Sequence, residues 1–191
     1  MRLFVALEIP AAVRDNLAAL LKDLRELSLQ LGDKRGRWVR PENLHVTLKF
    51  IGEAADAKLA GIRDALAKIR LDAPVDLKFR GLGYFPNEKH PRVLWVGLSA
   101  SANLALLAGD IDRALEPQGI SPETRPFSPH VTLARFEPPV LPEKLGAAIQ
   151  KNSQREFGSF QVREFHLIES KLRRSGAEYT TLATFPLTRE I

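Results

Sequence analysis

The chain has 191 residues, 45% of them hydrophobic and 27% charged, with a formal net charge of +5. That length suits one large domain or two small lobes, and a globule of this size needs no disulfide or metal staple. The absence of cysteine excludes a disulfide framework, a thiolate zinc site, an iron–sulfur cluster and a cysteine nucleophile together, and no apolar run approaches the roughly 18 residues of a membrane-spanning helix.

Residues 2–9 read as a strand. Glu8 and Pro10 interrupt the first apolar run too early for a signal peptide and no small-residue cleavage site follows, so a cytoplasmic protein is expected. A helix is predicted over 11–30 from leucines at 17, 20, 21, 24, 27 and 31. A basic loop carries Lys34, Arg35, Arg37 and Arg40, and a strand follows from about 44 to 51. Asp56 is placed to cap a helix whose apolar face is Leu59, Ile62, Leu66 and Ile69. Residues 75–85 form the next strand. Tyr84 to Pro91 carries Pro and Asn turn signals and is the candidate hinge. Val93–Leu98 reads as a strand, Asn103–Glu116 as a helix, and 130–136 as a strand after a Pro-rich loop. Pro142 opens a short helix to about 151. Strands near 160–170 and 178–185 end the chain.

Self-similarity organises this list. His45-Val46-Thr47-Leu48 recurs as His130-Val131-Thr132-Leu133, and two of the four histidines head the same tetrapeptide. Each half reads β-α-β-α-β with one strand added at the end. We expect a single two-lobed domain with pseudo-symmetric halves of about 1–88 and 89–191, and a site between the lobes that takes one motif from each. Arginine outnumbers lysine 18 to 10, and Lys171, Arg173 and Arg174 form a second basic cluster. Arginine forks onto phosphate oxygens, yet such clusters equally describe a solvated loop.

On a strand, side chains at i and i+2 share a face. His45 and Thr47 therefore point one way and Val46, Leu48 and Phe50 the other, as His130 and Thr132 oppose Val131 and Leu133. Imidazole titrates near 6.5, so one ring can be neutral while another holds a proton, the condition for concerted general base and general acid catalysis. Threonine hydroxyls donate to phosphoryl oxygens on which charge builds in the transition state. Two His-x-Thr pairs thus suit displacement at a phosphodiester without metal. A metal site needs a third ligand at fixed spacing, and neither motif carries a carboxylate at i+2 or i+4. No metal and no cofactor are expected. His90, in a turn, and His166, in Phe165-His166-Leu167-Ile168, read as structural.

Arg37-Trp38-Val39-Arg40-Pro41-Glu42-Asn43-Leu44-His45-Val46-Thr47-Leu48-Lys49-Phe50-Ile51-Gly52 resembles the first motif block of the bacterial and archaeal RNA 2′,3′-cyclic phosphodiesterases. These were formerly called 2′–5′ RNA ligases and belong to the two-histidine phosphoesterase superfamily. Arg125-Pro126-Phe127-Ser128-Pro129-His130-Val131-Thr132-Leu133-Ala134-Arg135 resembles the second block, and Arg92–Gly97 and Leu167–Ser170 match further segments. The resemblance implies an α+β, LigT-like fold: a duplicated β-α-β-α-β unit whose two antiparallel sheets form a concave, barrel-like cleft with helices outside. It implies opening of a terminal 2′,3′-cyclic phosphate on RNA to leave a 2′-phosphate. His45 would be the proton donor to the departing 3′ oxygen, and His130 the proton acceptor from water. Thr47 and Thr132 would hold substrate oxygens. Arg135 matches an arginine that lies near the phosphate in the family. Strict alternation turns Arg135 away from the cleft, unless the strand ends or bulges before Phe136-Glu137-Pro138-Pro139. Phe50 occupies the same place in the first motif, to stack on a base or to sit in the core. Trp38 carries the same ambiguity.

The expected partner is RNA with a 2′,3′-cyclic phosphate end, tRNA fragments and nucleoside cyclic phosphates included, with no membrane. A monomer is expected, since nothing resembles a coiled coil. Two other functions remain: joining RNA halves through a 2′–5′ bond at the same centre, and a nucleotide or RNA binding module without turnover.

Overall fold

A computed structural model describes residues 1–33, 36–71, 73–137, 141–174 and 176–187. Lys34 and Arg35 of the first basic cluster, and the Pro138-Pro139 pair, lie outside the described residues. Strand β1 (Arg2–Glu8) leads into helix α1 (Ala11–Gln30), then β2 (Gly36–Trp38), β3 (His45–Glu53), α2 (Leu59–Leu66) and β4 (Val75–Phe85). The second half runs β5 (Val93–Ala100), α3 (Asn103–Leu115), β6 (His130–Phe136), α4 (Glu143–Lys151), β7 (Glu156–Val162), β8 (Glu164–Arg173) and β9 (Gly176–Pro186). Helix α1 buries Val13, Leu17, Leu20, Leu21 and Leu24, the stripe read from its leucine spacing. It stops at Gly32, whose φ of +72° is open to glycine without strain.

Two antiparallel sheets result, ordered β3-β1-β8-β9 and β2-β6-β5-β4-β7. They form a concave, half-barrel cleft with the helices outside. The halves of the chain exchange parts. Strand β4 leaves the first half to pair with β5 and β7, and β8 leaves the second to pair with β1. Tyr84–Pro91 is therefore the connection between two hydrogen-bonded strands of one sheet. One continuous core joins the sheets and helices, with Leu7, Leu17, Phe79, Leu94, Leu133 and Phe165 among its members. Among the described residues no helix is long and apolar enough to cross a membrane.

Four local expectations change. The basic loop contains the three-residue strand β2, which pairs with β6. A 3₁₀ turn at Asp56–Lys58 precedes α2, and the Asp56 side chain makes no capping bond. The span read as one strand near 160–170 is two strands that separate at Arg163, β7 going to one sheet and β8 to the other. Strict alternation in the motif strands fails because both contain a bulge at the same place. Thr47 and Lys49 pair with the adjacent Ala6 and Val5, and Thr132 and Ala134 with the adjacent Trp95 and Leu94. Leu48 and Leu133 are the extra residues, and beyond each of them the facing of the strand reverses.

The reversal turns Phe50 and Arg135 out of the core. Phe50 is 60% exposed, and core burial of that ring is excluded. Arg135 is exposed as well, turned by the bulge at Leu133. The reversal also drives Lys49 inward, to 6% exposure. Its ammonium pairs with the Asp112 carboxylate and donates to the Ser121 carbonyl at 2.7 Å. Asp112 in turn accepts from the Glu123 backbone N–H at 3.0 Å. Strand β3, helix α3 and the start of the 121–129 loop are tied at this point.

Removing one partner of a buried ion pair strands the other. Lys49→Met is expected to cost about 3–5 kcal/mol in urea unfolding, and adding Asp112→Leu is expected to restore most of it. A Lys49→Met protein as stable as the parent would show that the pair carries no buried charge.

Candidate active site

Each motif histidine is oriented by the turn that delivers it. The His45 Nδ1–H donates to the Asn43 carbonyl at 2.7 Å, and the His130 Nδ1–H to the Ser128 carbonyl at 2.8 Å. A carbonyl only accepts, so in both rings Nδ1 carries hydrogen. Nε2 is then a lone pair in the neutral ring and an N–H in the charged one. The 3₁₀ turn Pro41–Asn43 sets the first carbonyl, and the Asn43 side chain is itself held by donation to Ala177 O at 2.8 Å on β9. Pro129 precedes the second histidine, where proline keeps the residue before it extended.

Directly paired residues of an antiparallel sheet share a face. On β3 and β1 these are His45 with Glu8, Thr47 with Ala6, and Phe50 with Phe4. Phe4, Ala6 and Ile168 form a small apolar cluster with Tyr179, separate from the main core. This is the floor of the cleft in the four-stranded sheet. The His45 ring lies against it, with centroids 4.9 Å from Phe4 and 5.4 Å from Tyr179. His130 rests edge-on against Phe85 at 4.9 Å. Strands β3 and β6 contact each other across the two sheets without pairing, so the motifs meet at the seam.

A cavity of about 680 Å³ opens at this seam. It brings together Thr47, Phe50, His130 and Arg135 with Phe85, Arg92, Arg125 and Phe127. Thr132 is half-buried on β6, paired with Trp95, and is not part of the cavity wall. His45 opens instead on a smaller cavity of about 240 Å³. Electrostatics links the two spaces. The charge of His130 acts on His45, and that of Arg135 acts on both His130 and Tyr179. Burial pushes the Tyr179 hydroxyl up, against the pull of Arg135 and Arg2.

Both imidazoles are held below their ordinary value near 6.5. Burial is the larger cause in each. The carbonyl at Nδ1 opposes it, and a neighbouring positive charge adds to it: His130 for His45, Arg135 for His130. Both rings are therefore neutral at pH 7, and a charge on one would disfavour a charge on the other.

Among the described residues no group of three His, Asp or Glu side chains could hold a metal ion. His90 is exposed, its backbone N–H donating to Asn87 Oδ1 at 3.1 Å. His166 is buried, with Nδ1 3.1 Å from the Thr184 hydroxyl. Trp38 packs edge-on against Phe136 at 5.8 Å, which resolves its ambiguity toward the core. In the basic clusters, Arg37 pairs with Glu137 and Arg173 with Glu178 at the surface, and Lys171 with the half-buried Glu169. Tyr179, Phe85, Phe127, Arg92 and Arg125 were not singled out from sequence. Phe85 closes a predicted strand and Phe127 lies in the second motif block, each beside a proline, whereas Tyr179 has no local signal and reaches the cleft only through the pairing of β8 with β9.

The family model described as LigT-like phosphoesterase matches the chain twice, over residues 7–95 and 96–179. An RNA 2′,3′-cyclic phosphodiesterase of Archaeoglobus fulgidus is 36% identical over 185 residues, covering 97% of this chain and 99% of the relative. A crystal structure from Thermus thermophilus aligns with a TM-score of 0.77 at 32% identity, covering 98% of both chains. The E. coli LigT crystal structure in complex with 3′-AMP aligns at 0.73 and 28% identity, again over 98% of each.

The lowered histidines make stability depend on pH. Below about 6.5 the unfolded chain takes up protons that the folded one refuses, so unfolding free energy falls as pH drops from 6.5 toward the lowered values and is unaffected by these groups above it. Urea unfolding between pH 5 and 7 is expected to show this fall, and His45→Gln with His130→Gln is expected to flatten it. An identical pH slope in parent and variant would refute the burial of the two rings.

Proposed function

The chain belongs to the LigT-like phosphoesterase family, its relatives being RNA 2′,3′-cyclic phosphodiesterases, and we propose that it opens the 2′,3′-cyclic phosphate at an RNA end with His45 and His130 as acid and base. Neutral His130 takes a proton on Nε2 from the attacking water. The water oxygen bonds to phosphorus on the side opposite the 3′ oxygen, the bond from phosphorus to that oxygen breaks, and His45 Nε2–H protonates it. A 2′-phosphomonoester and a free 3′ hydroxyl leave the site, and the proton on His130 returns to His45 through solvent.

The observation that carries this reading is the matched setting of the two rings. Both donate Nδ1–H to the carbonyl two residues earlier, on strands that meet at one seam. That leaves two Nε2 atoms of fixed tautomer as the only titrating positions. Thr47 and Thr132, on the same faces as the histidines, would donate to the non-bridging oxygens, and Arg135 beyond the second bulge would neutralise their charge. Phe50, Phe85 and Phe127 offer flat apolar surface to the base. These groups supply nucleophile activation, leaving-group protonation and charge stabilisation without a metal. A ribose 5′ hydroxyl in place of water would yield a 2′–5′ bond at the same centre, and water in excess favours hydrolysis.

Turnover of an RNA ending in a 2′,3′-cyclic phosphate is expected to survive excess EDTA. Abolition by chelator and rescue by zinc or manganese would replace the acid–base reading with Lewis-acid catalysis. His45→Ala and His130→Ala are each expected to lose about 10²–10⁴-fold in kcat, the usual worth of such a group, and the double variant little more. Retained nucleotide affinity in these variants would also dispose of a binding module without turnover.

The pH profile has a definite sign. Activity requires neutral His130, lost as pH falls through its pKa, and charged His45, lost as pH rises through its own. Both free-protein values lie below 6.5 by direction. The maximum of kcat/KM is therefore expected on the acidic side of 6.5, between two macroscopic limbs of the coupled pair. The kcat profile is expected at higher pH, because bound phosphate favours the imidazolium. A kcat/KM profile rising monotonically to pH 8 would exclude the assignment.

A further inference from the structure

The cavity of about 240 Å³ on which His45 opens extends beyond the chemistry just described, and the rest of its lining differs in kind from that of the larger one. The larger cavity presents three phenylalanines and three arginines. The smaller presents Glu8, Arg14, Glu42, Tyr179 and Thr181 around His45. Arg14, half-buried on α1, has no ion-pair partner among the described residues, although two carboxylates share its cavity. Glu42 likewise has none, while Glu8 accepts from the Thr181 hydroxyl at 3.2 Å. One unpaired guanidinium among carboxylates and hydroxyls suits a single phosphodiester flanked by sugar hydroxyls: arginine forks onto phosphate oxygens and carboxylates accept from ribose hydroxyls. It does not suit a polyanion.

In-line displacement gives this cavity a place along the substrate. The departing 3′ oxygen is protonated by His45, so the ribose that carries it lies on the His45 side of the phosphorus. The RNA that continues from the 5′ carbon of that ribose must leave the cleft past His45, where this cavity lies. Resting on the phosphodiesterase reading above, we propose that the cavity is a second subsite for the sugar–phosphate of the nucleotide preceding the cyclic end. Arg14 holds the phosphodiester that joins the last two nucleotides. Glu42 accepts from the 2′ hydroxyl of the penultimate ribose, the group by which a protein tells RNA from DNA.

The test is steady-state hydrolysis of three compounds: uridine 2′,3′-cyclic phosphate, the dinucleotide UpU ending in the same cyclic phosphate, and that dinucleotide with a 2′-deoxy penultimate sugar. The parent is expected to show a lower KM for UpU than for the mononucleotide at similar kcat, and to lose most of that advantage with the deoxy sugar. Arg14→Gln is expected to raise KM for UpU by about ten- to a hundredfold, the worth of a charge-assisted hydrogen bond. The same variant leaves mononucleotide kinetics unchanged. Equal kcat/KM for the mononucleotide and UpU in the parent, no change for UpU in Arg14→Gln, or a parallel change for both would overturn the subsite and leave the phosphodiesterase reading standing. A full advantage kept by the deoxy dinucleotide would overturn the assignment of Glu42. No turnover of any of the three by the parent would overturn the phosphodiesterase reading and the subsite with it.

Discussion

One extra residue in each motif strand decides what the cleft contains. Without the bulges at Leu48 and Leu133, a period of two would send Phe50 and Arg135 into the core and leave Lys49 and Ala134 on the outer face. With them, each strand sets a histidine and a threonine on one face, skips a step, and then turns out a third group, aromatic in one and cationic in the other. The same skip drives Lys49 inward, where its ion pair with Asp112 anchors the loop that ends in His130. The bulge that aims the ligand-facing residues of β3 therefore also ties down the wall opposite them. A bulge with two such uses is conformationally expensive to lose, because slipping the register would bury Phe50 and Arg135 and expose Lys49 at once.

The electrostatic design follows from the same crowding. Burial disfavours the charged form of both imidazoles, and a neighbouring positive charge, His130 for one and Arg135 for the other, adds to it, so neither ring holds a proton readily. The carbonyls at Nδ1 prevent the rings from escaping this by turning over. What remains is a pair of rings that are both neutral at pH 7, each with Nε2 as its free position.

Much of this was legible in the sequence because it obeys simple periods. The repeated His-x-Thr, the common facing of i and i+2, the leucine stripe of α1 and the boundaries of β6 all follow from local pattern, and the family resemblance carried the chemistry. The rest was not local. Nothing in Leu48 or Leu133 marks them as bulge residues, since their side chains are as apolar and as buried as their neighbours. Arg163 separates two strands that read as one because the chain passes from one sheet to the other within a continuous β pattern. Tyr179 reaches His45 only by the register of β9 on β8 and of β8 on β1. Asp56 has the right residue type for a cap, but a 3₁₀ turn intervenes between it and α2.

The exchange of strands ties the two similar halves of the chain into one pair of sheets. The two motif strands sit in different sheets, and each sheet takes two strands from the other half: β2 beside β6 and β4 between β5 and β7 in one, β8 and β9 beyond β1 in the other. The first half on its own would leave β2 and β4 without the strands that pair them, and the second would leave β8 with β9 but without β1. Because strands cross between the halves, main-chain hydrogen bonding ties each half into both sheets. The placement of the motif strands is set by that pairing, which puts Glu8 opposite His45 and Gly97 opposite His130. The two motif strands differ at the position beyond the bulge, Phe50 in one and Arg135 in the other, and in the rings packed against their histidines, Phe4 and Tyr179 in one and Phe85 in the other.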